Sequence, residues 1–246
     1  MSRLAPVTLA LATLALTACA SGPGGPRDAR RIAGAANPGE VIATERAFAR
    51  MAVEKGTWTA FREYATKDAL WPSSGAAPAL VNVQQALKGT PDPAQPVIWG
   101  PDAAWSSCDG SFAVTTGEAQ FPGGRKSRFV TVWQRQDNGE YRWVLDQGFA
   151  SPGGEVSPDL IPAKVAECAR GGRLYERADR RARRGEAWGS AQSDDATLAW
   201  ETRIAADCSR TLTVRMAAPE GMSEVLRRAE PAPVPAAGQP APRCAG

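Results

Sequence analysis

Between Ala103 and Ala150 four stretches of strand length follow one another: Ala103 to Ser107, Phe112 to Phe121, Lys126 to Gln136 and Tyr141 to Ala150. They are separated by Asp109-Gly110, Pro122-Gly123-Gly124 and Asp137-Asn138-Gly139. Such residues reverse the chain tightly and tolerate positive φ, so neighbouring strands pair antiparallel as a meander. In the third stretch Phe129, Thr131 and Trp133 share one face while Val130 and Val132 share the other. Both faces therefore need cover. Helices can supply one cover, and the C-terminal region or a partner subunit must supply the other.

The helical period lies upstream of the strands. Asn37-Pro38-Gly39-Glu40 joins a capping side chain, a proline at the first helical position and a glutamate placed to close a capping box. The spacing predicts a helix from Pro38 to about Lys55, with Val41, Ile42, Phe48, Ala49, Ala52 and Val53 as its apolar stripe. After Gly56, Thr57 caps a second predicted helix that carries Trp58, Phe61, Tyr64 and Ala65 and runs to Leu70-Trp71-Pro72. Asn82 and Gln85, followed by Ala86, Leu87 and Gly89, predict a short third helix. Helices first and hairpin-connected strands after is an α+β order with segregated layers.

The two ends of the chain differ in composition from the middle. Arg3, then apolar residues from Leu4 to Leu16, then small residues, have the layout of a secretory signal, and the apolar run falls short of a membrane span. Leu16-Thr17-Ala18-Cys19 resembles a bacterial lipobox, which implies cleavage before Cys19 and acylation there. Several acyl chains anchor firmly where one holds only marginally. Ala20, standing where an aspartate would resemble an inner-membrane retention signal, points to the outer membrane and a periplasmic domain. The expected organisation is a signal over 1–18, a flexible tether over 19–37, a first domain over 38–152, an appended β-containing subdomain over 153–228 and a disordered Pro/Ala tail over 229–246. In the subdomain the sequence predicts a short helix near Pro162 to Arg170 and a hairpin of Thr197 to Ala206 with Arg210 to Ala217, in which Trp200, Ile204, Leu212 and Val214 are apolar. So little apolar content predicts docking onto the first domain.

Glu45-Arg46-Ala47-Phe48-Ala49, Ala60-Phe61, Ala65-Thr66-Lys67-Asp68-Ala69, Asp109-Gly110, Thr115-Thr116-Gly117, Phe129-Val130-Thr131-Val132-Trp133 and Trp143-Val144-Leu145-Asp146 together resemble the SnoaL-like branch of the nuclear transport factor 2-like superfamily. The resemblance spans about Pro38 to Pro152. It implies a cone-like curved antiparallel sheet around the N-terminal helices, enclosing a pocket. In the enzymes of that superfamily a pocket Asp or Glu moves a proton beside a carbonyl, which requires a carboxylate with a raised pKa and an acid for the developing oxyanion.

The chain has no histidine, which excludes histidine-dependent serine triads and histidine-based zinc sites. Cys108, Cys168, Cys208 and Cys244 lack the paired spacing of a zinc site, and in an oxidising compartment they read as disulfides. Of three connectivities, Cys168 with Cys208 is the expected pair, leaving Cys108 with Cys244 as a bridge or as free thiols. No metal or cofactor is expected. The formal charge of +3, one of which is Arg3, gives no reason to expect nucleic acid.

Asp68, at the end of the second predicted helix, and Asp146, on the last meander strand, are the candidate proton carriers, with Tyr64 as donor and Glu45 as a third carboxylate. Asp68 and Asp146 also read as structural partners for Arg135 or Arg142, and Glu45 as a carboxylate at the edge of the helix stripe reaching solvent or an arginine. Trp58, Phe61, Trp71, Trp105, Trp133 and Trp143 are the expected lining of an apolar pocket, and equally a packed core. The arginines between Arg177 and Arg184 alternate with Glu176, Asp179 and Glu186, the pattern of a solvated face. The leading functional expectation is a lipid-anchored periplasmic domain that binds a small apolar ligand or an envelope partner without catalysis. The alternatives are a SnoaL or ketosteroid isomerase type of enzyme using Asp68 or Asp146, and a structural homodimer formed through the sheet's outer face.

Overall fold

Asn37 starts the first helix as its sequence predicts: its Oδ1 accepts the Gly39 N–H at 3.1 Å, and its Nδ2 donates to Glu40 Oε1 at 3.3 Å. Helix α1 spans Pro38–Lys55 and buries Val41, Glu45, Phe48 and Ala52, while Val53 faces solvent. A second helix, α2, spans Thr57–Tyr64. The computed structural model describes residues 36–73, 79–151, 160–168, 187–235, 237, 238, 240 and 244. The signal segment, Cys19, most of the tether and the cluster from Arg177 to Arg184 lie outside the described residues.

The second helix is shorter than its sequence predicts. Ala65–Pro72 forms strand β1 instead, pairing antiparallel with β2 (Leu80–Asn82) and parallel with β6 (Tyr141–Ala150). The β-sheet hydrogen bonds it completes outweigh a helical pattern about two turns longer, a tertiary override of local preference. Asn82 then accepts the Gln85 N–H at 3.0 Å and caps the single-turn α3 (Val83–Ala86).

The meander forms as predicted, from β3 (Ile98–Ser106), β4 (Phe112–Gln120), β5 (Lys126–Arg135) and β6. β3 begins earlier than expected and contains Pro101, beside a register shift and away from the short pairing of β3 with β7 (Ala163–Val165), so the missing N–H leaves no gap in that ladder. β7 replaces the helix expected near Pro162. The seven-stranded order is β2-β1-β6-β5-β4-β3-β7. A second sheet, ordered β11-β10-β9-β8, contains the expected hairpin as β9 (Leu198–Ile204) and β10 (Arg210–Ala218). It gains two flanking strands that the sequence reading omits, β8 (Ala187–Gln192) and β11 (Gly221–Glu230).

The two faces of the large sheet lead to two cores. Ala113, Trp133, Tyr141 and Trp143 on the inner face pack with Val41, Phe48, Ala52 and Ala60 of the helices. On the outer face Phe112, Val114, Val130, Val132, Leu145 and Phe149 pack with Leu198, Trp200, Leu212, Val214 and Met216 of the second sheet. Fully burying a side chain of this size contributes about 1.5–3 kcal/mol, so this second core holds the layers together. The C-terminal region thus covers the outer face.

The expected Cys168–Cys208 pairing is corrected: the disulfides are Cys108–Cys168 and Cys208–Cys244, each with Cα atoms 5.2 Å apart. β7 runs beside β3, with Ser106 opposite Val165, which delivers Cys168 to the turn that follows β3. Cys208 sits in the β9–β10 turn, where the Cys244 N–H reaches Ala206 O at 3.2 Å. The tail is corrected likewise. Ala229 and Glu230 end β11, and Cys244, only 5% exposed, is tied down by its bridge.

Candidate functional site

A bulge in β6 builds the site. Trp133 faces Trp143 and Val132 faces Leu145, so Val144 is an extra residue on β6. Strict alternation from Trp143 would send Asp146 to the outer face, because a one-residue slip reverses every later side chain. With the bulge, Leu145, Gln147 and Phe149 turn outward, and Asp146 and Gly148 turn inward.

Asp146 there borders a cavity of about 170 Å³ beneath α1 and α2, walled by Phe48, Trp58, Phe61, Trp71, Trp99 and Phe129. Thr131, its direct cross-strand neighbour, donates its hydroxyl to Asp146 Oδ2 at 2.7 Å. The other carboxylate oxygen has no protein partner, and no arginine or lysine pairs with Asp146 among the described residues. Burial raises its pKa from 3.8 to about 7, the Thr131 hydrogen bond opposes that, and Glu45 adds to it.

Glu45 is the second carboxylate of the interior, fully buried on α1. Its Oε1 accepts Trp99 Nε1–H at 2.7 Å, and its Oε2 accepts the Thr115 hydroxyl at 2.6 Å and Trp133 Nε1–H at 3.2 Å. Burial raises its pKa despite these donors. The two acids thus have different surroundings. Glu45 is held by two indoles and a threonine as part of the wall, while Asp146 shows a free oxygen to the cavity.

The aromatic side chains divide between lining and core. Trp58, Phe61 and Trp71 border the cavity, together with Trp99, Phe48, Phe129 and Phe121. Trp133 and Trp143 are fully buried behind the lining. Trp105 packs in the outer core against the second sheet, because the register shift between Pro101 and Ala103 places Ala104, and not Trp105, on the inner face. Edge-to-face contacts such as Trp58 with Trp71, at 5.7 Å between centroids, hold the wall in shape.

Asp68 is not part of the site. It lies on β1 with 82% of its side chain exposed, 4.0 Å from Lys67. Tyr64 faces a surface groove lined by Glu40, Glu63 and Arg142, where burial raises its pKa. Thr131 and Ser127 are site residues that the sequence did not single out. Thr131 had a signal, since it alternates in phase with Phe129 and Trp133 on the inner face.

No protein-family model and no curated protein matches the chain. Among solved structures it is similar to a protein provisionally named a ketosteroid isomerase, from Parabacteroides distasonis ATCC 8503. The likeness has 11% identity and a TM-score of 0.36, over 50% of this chain and 99% of that one.

Proposed function

We propose that this domain takes a small ring-sized apolar molecule into the aromatic cavity and that Asp146 moves a proton at a carbon beside its carbonyl. The observation that carries the reading is the unpaired Asp146 oxygen in an apolar cavity. A cavity of about 170 Å³ is the size of apolar sites that hold a benzene ring. A carboxylate poised near neutrality is matched to abstracting and returning a proton, since it populates both forms at working pH. The Ser127 side chain on the same wall offers a neutral donor for the developing oxyanion. The expected non-catalytic pocket domain shares this cavity and differs in leaving Asp146 idle.

The test is hydrogen–deuterium exchange at the α-carbons of cyclopentanone and cyclohexanone, followed by NMR. Wild type accelerates exchange with a rate that climbs as pH passes about 7, and Asp146→Asn does not. Equal rates for the two proteins would return the domain to a binding role.

We further propose that the mature protein is a lipoprotein of the bacterial outer membrane, facing the periplasm. The lipobox-like Leu16-Thr17-Ala18-Cys19 and two disulfides support this address. Incorporation of a radioactive fatty acid that disappears in Cys19→Ala is the expected result; unchanged labelling of the variant refutes it.

A further inference from the structure

The cavity opens where β1 leaves β6. The two strands pair at Ala65 with Trp143 and at Leu70 with Leu145, after which β1 pairs only with β2 and the edge of β6 is free. Trp71 and Pro72 form one side of the gap, Asp146 and Gly148 the other, and the space continues outward as a groove of about 620 Å³. Trp71, Phe121, Asp146 and Gly148 border both the cavity and the groove, so the two form one continuous path.

The groove is chemically unlike the cavity. Arg125 and Arg210 stand on it, together with Glu230 and the segment Pro231–Val234. The half-buried Arg210 donates Nη2–H to Gly148 O at 3.1 Å on the free edge of β6. Its guanidinium lies 5.4 Å from the Phe149 ring. Glu230 is its nearby counter-charge, but one Glu230 oxygen is engaged by the Ala150 N–H at 2.7 Å. Arg125 lies 3.7 Å over the Phe121 ring and has no carboxylate partner among the described residues. Arg125 and Arg210 face Glu230 and Asp146 here, and while Asp146 keeps its proton, below about pH 7, the mouth is net positive beside an apolar wall.

We infer that the molecule entering this cavity is an amphipathic monocarboxylate, its ring seated among Trp58, Phe61 and Trp71 and its carboxylate held at the mouth by Arg210 and Arg125. Guanidinium groups bind carboxylates through paired, charge-assisted hydrogen bonds, which suits them to this end of the ligand. The inference rests on the cavity reading above and narrows its substrate to a cyclic keto acid.

Phenylacetate, 3-phenylpropanoate and 4-phenylbutanoate, each against its neutral carboxamide, form the test, with binding read from quenching of tryptophan fluorescence. At least one carboxylate is expected to bind about tenfold or more tightly than its amide, with an advantage that shrinks in high salt. Arg210→Gln and the exposed, structurally safe Arg125→Gln should each bring that ratio toward one. Equal or tighter binding of the amides overturns the inference alone. So does a preference that survives both substitutions. Binding of no acid and no amide overturns the cavity reading along with it.

Discussion

Asp146 and Thr131 face each other across β6 and β5, and the Thr131 hydroxyl donates to Asp146 Oδ2 at 2.7 Å. That contact fixes one oxygen of the carboxylate and leaves the other to the cavity. It exists only because Val144 is bulged out of register, so the proposed chemistry depends on a single extra residue in one strand.

Asp146 gives stability a pH dependence of definite sign. Burial lifts its pKa from 3.8 to about 7, so the folded protein keeps a proton that the unfolded chain releases. This stabilisation is complete below about pH 4 and is lost as pH rises through about 7. Asp146→Asn stays neutral throughout and should be more stable than wild type at pH 8, by about 4 kcal/mol, with little difference at pH 4. Urea denaturation at the two pH values measures it.

Glu45 is part of the wall, and its loss is a folding defect. Glu45→Ala strands the indole N–H of Trp99 and the Thr115 hydroxyl proton, and leaves the Trp133 N–H with Thr115 Oγ1, at 2.9 Å, as its acceptor. A cost of about 3–5 kcal/mol is expected, against about 1–2 kcal/mol for Glu45→Gln, which keeps one acceptor. Chemical denaturation of both variants separates the two values.

Gly148 keeps the cavity open. A β-carbon there would meet only Ser127 Oγ, at 3.8 Å, so the backbone accepts a side chain that then projects into the ligand space. Gly148→Leu should abolish the fluorescence response to the arylalkanoates while shifting stability by less than about 1 kcal/mol. A variant that still binds would place the ligand elsewhere.

The disulfides have a measurable pattern. Digestion without reduction, followed by mass spectrometry, should return peptides joining Cys108 to Cys168 and Cys208 to Cys244. The first bridge spans 60 residues, and replacing both of its cysteines by serine should cost about 4 kcal/mol in the chain-entropy account. Recovery of a Cys168–Cys208 peptide would contradict the fold at the β3–β7 edge.

What the sequence by itself determined is local. The Asn37 cap, the stripe of α1, the short α3 and the four meander strands are legible because capping, helical period and turn residues act over a few neighbouring positions. Trp200, Ile204, Leu212 and Val214 were likewise visible as the apolar side of a hairpin. Tertiary structure decided the rest. Ala65–Pro72 is a strand only because β6 and β2 are there to pair with it, and Asp68 loses its place in the site for that reason. Cysteine pairing followed β7 lying beside β3, a neighbour 60 residues away in the chain. The candidate site turned on strand parity: Asp146 faces inward and Trp105 outward because of register shifts that no alternating pattern encodes. Such shifts are set by how two strands meet side by side, and a single strand read alone carries no record of its partner's register.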